Sequence, residues 1–81
     1  MIKELEKIKF PQYRMYLNGK SYFKIISLSE FDEVQLIGSK KIITSHIVKI
    51  LPDRNFIMDL LIDYSLFAEE ITEKRYFDIL L

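Results

Sequence analysis

An Asn-Gly pair at residues 18 and 19 constrains the fold of this chain more than any other sequence feature. It separates two runs that are rich in aromatic and β-branched residues, Tyr13–Leu17 and Ser21–Ser27. Asn-Gly between such runs is the strongest short-range signal for a β-hairpin, because both residues tolerate the positive φ angles of tight turns. The sequence therefore predicts an N-terminal hairpin that turns at this pair.

The length of the hairpin loop decides which side chains share a face. A two-residue loop pairs Met15 with Tyr22 and mixes apolar and cationic side chains on one face. A three-residue loop with Gly19 in the left-handed conformation instead separates a mostly apolar face from a basic and aromatic one. This segregation favours the three-residue loop. Its apolar face would hold Tyr13, Met15, Ser21, Phe23 and Ile25, and its other face Arg14, Tyr16, Lys20, Tyr22 and Lys24.

Size and composition indicate one small domain that spans residues 1–81. An 81-residue chain suits a single domain, and an apolar share of 49% can fill one core. No run approaches the ~20 apolar residues of a membrane-spanning helix, and the N-terminal residues lack the apolar stretch of a signal peptide. Cysteine is absent, which excludes disulfides and thiolate sites and fits a reducing compartment. We therefore expect a cytoplasmic protein.

The middle of the chain predicts short helices and a strand. Met1–Lys9 can form a helical turn or two, or a loosely ordered arm, and any helix there stops before Pro11. Ser29 and the acids that follow it favour a short helix ended by Gly38. The β-branched residues within 41–51 indicate a strand, and because both of its faces are partly apolar we expect an inner strand.

The C-terminal third predicts a further strand and a closing helix. Phe56–Tyr64 fits both helical and alternating spacing, and Asp53 as a cap favours helix. Ser65–Ile71 is a predicted strand, and Thr72 caps a predicted helix over Glu73–Leu81. The expected fold is thus α+β, with a hairpin in a mixed or antiparallel sheet of about four strands and two to three short helices, mostly on one face.

Residues with catalytic or metal-binding chemistry are few. His46 is the only histidine, and it lies inside the predicted strand without neighbouring ligands, so a structural role is favoured. Asp59 and Asp63 would share one helix face, but a hard cation needs more oxygen ligands than two. The solvated side of an amphipathic helix explains both acids. We therefore predict no catalytic, cofactor-binding or metal-ligating residue, and a non-enzymatic protein.

The basic and aromatic face of the hairpin is the candidate interaction surface. Tyrosine rings between cations can stack bases and meet phosphates, although a net charge of zero argues against affinity dominated by phosphate contacts. Residues 1–27 hold six Lys/Arg and two acids, whereas residues 28–81 hold six and ten, so the two parts carry +4 and −4. This polarity suits association between copies. We expect a small module that binds a protein partner or itself as a homodimer, with a nucleic-acid-binding accessory protein as the alternative.

Two short strings resemble segments of known bacterial proteins. YFKIIS at Tyr22–Ser27 and ILPDRNFI at Ile50–Ile57 are together similar to short bacterial proteins of unknown function. The resemblance spans about residues 10–77 of this sequence. It implies a bacterial origin and supplies no catalytic or binding residue.

Overall fold

The computed structural model describes residues 8–49 and 51–81, and for residues 51–54 the backbone alone. The strands are β1 (Gln12–Tyr16), β2 (Ser21–Ser27), β3 (Glu30–Ile37), β4 (Lys40–Ile47) and β5 (Ala68–Glu70), and the helices are α1 (Leu51–Leu61) and α2 (Glu73–Leu80). One antiparallel sheet has the spatial order β4-β3-β2-β1-β5, so β4 and β5 form its edges. Within the described residues, this architecture fits the expected α+β class, with five strands rather than about four and with two helices.

The first hairpin turns where the sequence predicts, but its faces are not the predicted ones. Gly19 has a φ angle of +72°, and its amide donates to the Tyr16 carbonyl oxygen at 2.8 Å. Met15, however, pairs with Tyr22, which is the register of the two-residue loop. The prediction of one apolar hairpin face is therefore wrong. Helices cover both faces of this sheet, so apolar side chains are needed on each.

Strand β3 occupies the segment for which the sequence predicts a helix after Ser29. Phe31 and Val34 have helical spacing, but in a strand they point to opposite faces, and they are buried there at 4% and 0% exposure. The Ser29 amide donates to the Ser27 hydroxyl at 3.1 Å, so these serines close a turn rather than begin a helix. The helix prediction is wrong because a strand buried on both faces lacks the alternation that normally identifies it.

Gly38 begins the turn between β3 and β4 rather than ending a helix. Ile37 pairs with Lys40 directly across this two-residue turn. Gly38 has a φ angle of +60°, whereas the φ angle of Ser39 is not positive. Glycine with positive φ at the first central position fits a type II′ turn, whose twist matches that of the flanking strands. The positive φ angle of Gly38 therefore forms a hairpin turn and does not end a helix.

Strand β4 lies at one edge of the sheet and pairs with β3 alone among the described strands. The sequence predicts a strand over residues 41–51, and the observed strand ends at Ile47. The prediction of an inner strand is wrong, because every residue of β4 except His46 is exposed. Apolar residues on both faces of a strand are thus compatible with an open edge.

Each face of the sheet carries its own hydrophobic core under one helix. The core under α1 contains Phe23, Ile25, Phe31, Val48, Ile57, Leu60 and Leu61. The core on the α2 side contains Tyr13, Met15, Tyr22, Val34, Ile71 and Tyr76. The expectation that the helices lie mostly on one face is wrong, since strands that are apolar on both sides require cover on both.

The C-terminal third follows the sequence expectations more closely. The helical alternative for the ambiguous segment is confirmed by α1, although this helix begins at Leu51, so Asp53 lies inside it rather than at its cap. Strand β5 is shorter than the predicted strand over residues 65–71. Thr72 is the N-cap of α2, and its hydroxyl accepts from the Arg75 amide at 3.1 Å. The closing helix and its cap are thus confirmed.

Two further expectations concern the N-terminus and the membrane. The helical turn predicted for Met1–Lys9 falls mainly on residues 1–7, which lie outside the described residues. Of the helices in the described ranges, none combines the length and the apolar character that a bilayer-spanning helix requires.

We expect Thr72→Ala to lower the free energy of unfolding by about 1 kcal/mol, because the Arg75 amide loses its acceptor. Thr72→Ser keeps a hydroxyl at this position and should retain nearly the wild-type stability. Urea denaturation followed by circular dichroism measures both variants. Equal losses for the alanine and serine variants would contradict a capping role for the hydroxyl.

Candidate functional site

The five residues of the predicted interaction surface do not lie on one surface. Neighbouring residues of a strand point to opposite faces, so the register divides this set between the two sides of the sheet. Arg14 and Tyr16 lie on the α1 face, and Tyr22 and Lys24 lie on the α2 face. Lys20 is exposed in the hairpin loop. The basic and aromatic face predicted from the sequence is therefore not assembled.

Arg14 is buried at the end of α1, where it connects the sheet to that helix. Its Nε donates to the Leu60 carbonyl oxygen and its Nη1 to the Tyr13 carbonyl oxygen, each at 2.8 Å. Leu60 is in the last turn of α1, whose carbonyls lack intrahelical donors, so Arg14 caps the helix. The guanidinium carbon lies 4.2 Å from the ring centroid of Tyr64. Burial lowers the pKa of Arg14, and the nearby Tyr64 and Glu70 oppose this shift.

Arg14→Met should lower the free energy of unfolding by about 2 kcal/mol, because the buried Leu60 carbonyl oxygen loses its side-chain donor and the Tyr13 carbonyl oxygen keeps only the longer bond from the Ile71 amide at 3.3 Å. The matched control is Lys20→Met, which removes the same charge from the exposed loop and should change stability by less than about 0.5 kcal/mol. Denaturant titration of both variants provides the measurement. Similar losses in the two variants would show that the buried guanidinium contributes nothing specific.

The remaining aromatic and basic residues of the hairpin are occupied by contacts within the protein. Tyr22 is 5% exposed in the core on the α2 side, and the Lys24 Nζ lies 5.4 Å from the ring centroid of Phe77. Tyr16 is half-buried on the other face, with its ring centroid 4.9 Å from that of Phe23. Stacking of bases requires exposed rings beside cations on one surface. The exposed basic and aromatic face on which the nucleic-acid-binding alternative was based is therefore not formed.

His46 forms a pair with a carboxylate that the sequence does not reveal. Its Nε2 lies 3.1 Å from the Glu33 Oε1, and its ring stacks on Phe31 with centroids 4.6 Å apart. The partner comes from β3, the segment predicted to be a helix, so the sequence could not place it. A carboxylate can orient an imidazole, but nucleophilic catalysis also needs a nucleophile that is hydrogen-bonded to that imidazole. Among the described residues, the side-chain hydrogen bond of His46 is to Glu33 alone.

The free edge of β4 is the surface that sequence reasoning missed. Ile42, Ile43 and Ile47 are 43%, 60% and 68% exposed. One side of the strand pairs with β3, and within the described residues no strand pairs with the other side. Alternate backbone N–H and C=O groups of an edge strand point outward without a partner. A long apolar edge of this kind is a template for the addition of another strand.

Charged residues lie at both ends of the β4 edge. Lys40 and Lys41 lie at its start. At its other end, Glu30 of the neighbouring strand β3 pairs with Ile47, and the exposed Lys49 follows two residues after the strand ends. The edge is therefore basic where β4 begins and carries both signs where it ends.

One sequence signal points to this edge. Lysines are common on edge strands because a charge there opposes uncontrolled strand addition, and Lys40-Lys41 opens β4 immediately after the Gly38-Ser39 turn. The signal is weak alone, because lysines also occur at the ends of inner strands. Only the strand order of the sheet shows that β4 has an open side.

No family model, curated protein or solved structure matches this chain. The geometry of the β4 edge, rather than similarity to a known protein, therefore supports the functional conclusion.

Proposed function

We propose that this protein is a small non-enzymatic interaction module that associates with a second copy of itself through the free edge of β4. The observation that supports this proposal is an eight-residue edge strand that exposes Ile42, Ile43 and Ile47. Apolar side chains on an open edge are unfavourable in water. Strand pairing buries them and at the same time satisfies the outward backbone groups.

Antiparallel pairing of two β4 strands follows a two-fold axis perpendicular to the sheet. When the pairing is centred on Thr44, Lys41 of one copy lies opposite Ile47 of the other. Glu30 is the β3 neighbour of Ile47, so the lysine of one copy approaches the glutamate of the other. The two Lys41 residues lie about 20 Å apart along the strands, beyond the Debye length of ~8–10 Å. This register thus brings Lys41 of each copy towards Glu30 of the other and keeps the two Lys41 residues apart.

The same pairing brings exposed isoleucines together on the face that carries α2. Ile43 of one copy lies opposite Ser45 of the other and diagonally next to Ile47, at about 7–8 Å. The paired edge is about 27 Å long, which places the complex among small interfaces. We therefore expect a Kd on the order of 10 µM.

Light scattering coupled to size exclusion tests this proposal. The expected mass rises from near the monomer value of 9.7 kDa in dilute solution to about twice that value above roughly 100 µM. A mass that stays at 9.7 kDa over the whole concentration range would contradict self-association.

A further inference from the structure

A cleft beside the first hairpin loop is lined by aromatic rings and one carboxylate. It has a volume of about 420 Å³ and lies between β1, the hairpin loop, α1 and the segment that precedes β5. Its lining residues are Tyr16, Asn18, Phe56, Asp59 and Phe67. None of these residues belongs to β4, so this cleft is separate from the edge proposed for self-association.

The aromatic rings that line the cleft pack against the core under α1. The centroids of Tyr16 and Phe67 are 5.9 Å apart, and their planes meet at 73°, so the two rings form adjoining walls. Phe23 is fully buried, and its centroid lies 4.9 Å from that of Tyr16 and 5.8 Å from that of Phe56. All three lining rings are partly exposed. The aromatic walls are therefore packed against the core on one side and accessible to a ligand on the other.

The electrostatics of the cleft favour a cation. The face of an aromatic ring carries negative potential, and the exposed Asp59 adds a formal negative charge to the lining. Anions are repelled by this carboxylate, and neutral ligands lack the charge attraction that a cation gains from it. The protein uses the same chemistry internally, where Arg14 lies over the ring of Tyr64 and Lys24 over that of Phe77.

We propose that this cleft binds an alkylated ammonium group, of the kind carried by choline or by a methylated lysine side chain. The ring faces contact the methyl groups, and the Asp59 carboxylate balances the charge. An unmethylated ammonium is a compact and strongly hydrated ion, so it leaves water less readily than its methylated form. Recognition of such groups by aromatic rings is a common use of cation–π attraction.

The first test compares choline with its neutral isostere 3,3-dimethylbutan-1-ol by NMR titration of the labelled full chain. We expect choline to shift the amide signals of the lining residues and to bind at least about tenfold more tightly than the alcohol. Equal affinity of the two compounds would overturn the proposal, because it would show a merely apolar cleft. Shifts centred on Phe77 or β4 would also overturn it.

Matched variants test the roles of the carboxylate and the rings. Asp59→Asn should weaken choline binding about fivefold, whereas Asp78→Asn, the same change on exposed α2, should leave the affinity unchanged. Phe67→Leu keeps an apolar side chain and should weaken binding by a similar factor. Because Asp59 is exposed, its variant remains informative even where the Phe67 variant folds poorly. Wild-type affinity in Asp59→Asn would overturn the proposal.

A third arm distinguishes the two sources of this ligand group. A short glycine-flanked peptide that contains trimethyllysine is titrated beside choline and beside the same peptide with unmodified lysine. Tighter binding of the methylated peptide than of choline indicates a side-chain ligand, and the reverse order indicates a free small molecule. The unmodified peptide should bind at least about tenfold more weakly than the methylated one. Equal binding of the two peptides would contradict recognition of the methyl groups.

Discussion

Ile43→Lys is expected to convert the β4-paired dimer into a monomer without unfolding the protein. Ile43 is 60% exposed, so its replacement should change the free energy of unfolding by less than about 1 kcal/mol. At the shared edge, the two-fold symmetry introduces one lysine from each copy into the apolar part of the interface. We expect the Kd to rise by about 100-fold, which corresponds to roughly 3 kcal/mol. Sedimentation equilibrium measures this change directly.

The matched control for this variant is Leu66→Lys. Leu66 is 91% exposed and lies in the segment before β5, at the edge of the sheet opposite β4. Its replacement adds the same charge and removes a similar apolar surface. We expect the dimer to persist in this control. Loss of the dimer in both variants would show that net charge, rather than the β4 edge, controls association.

Phe23→Ala is expected to cause the largest loss of stability among single substitutions in the sheet. Phe23 is fully buried at the centre of the core under α1, where its ring contacts those of Tyr16, Phe31 and Phe56. Removal of a buried phenylalanine side chain costs about 3–5 kcal/mol, because a cavity is added to the lost burial. In a domain of this size the loss lowers the melting temperature by more than about 12 °C.

Thermal denaturation of Phe23→Ala beside Leu66→Ala provides the measurement. The control removes an apolar side chain that is already in water, so its melting temperature should change by no more than about 3 °C. The observed register places Phe23 on the same face as Arg14 and Tyr16, rather than with Tyr13 and Met15 as the three-residue loop predicts. A loss below about 1 kcal/mol for Phe23→Ala would contradict the core on this face.

The features that were predictable from the sequence depend on interactions between near neighbours. The turn at Asn18-Gly19 and the cap at Thr72 each involve atoms that lie within three residues of one another. Glycine in the left-handed conformation and a hydroxyl at a helix start have the same preferences in most folds. Such local signals are therefore correct even though the arrangement of the whole sheet was unknown.

The features that were not predictable depend on where the helices pack. Ser29 and the acids after it predict a helix, but such local signals carry no information on the packing that buries Phe31 on one face of β3 and Val34 on the other. The predicted hairpin register assumes that only one face is buried, so it wrongly exposes Tyr22 and Lys24 to solvent. Burial of both sheet faces depends on where the helices pack in the complete fold, and no short segment of the sequence contains this information.

The candidate site was missed for a related reason. Ile42 and Ile43 place β-branched side chains on both faces of β4, and an inner strand has the same pattern. Whether such a strand is covered depends on the order of the strands, which the chain determines only as a whole. Arg14 is the converse case, because the sequence predicts an exposed cation and the structure buries it as a helix cap. Its hydrogen-bond partner Leu60 lies 46 residues away, so the sequence around Arg14 does not reveal this role.

Amide hydrogen exchange at two protein concentrations is the most direct test of the β4 edge as the site of self-association. In an edge strand, alternate N–H groups point away from the sheet, and only pairing with a second strand protects them. With a Kd on the order of 10 µM, raising the concentration from about 10 µM to about 1 mM should slow exchange of these β4 amides about sevenfold. The amides of β5, at the opposite edge, should exchange at unchanged rates. Exchange in β4 that does not depend on concentration would contradict the proposed association.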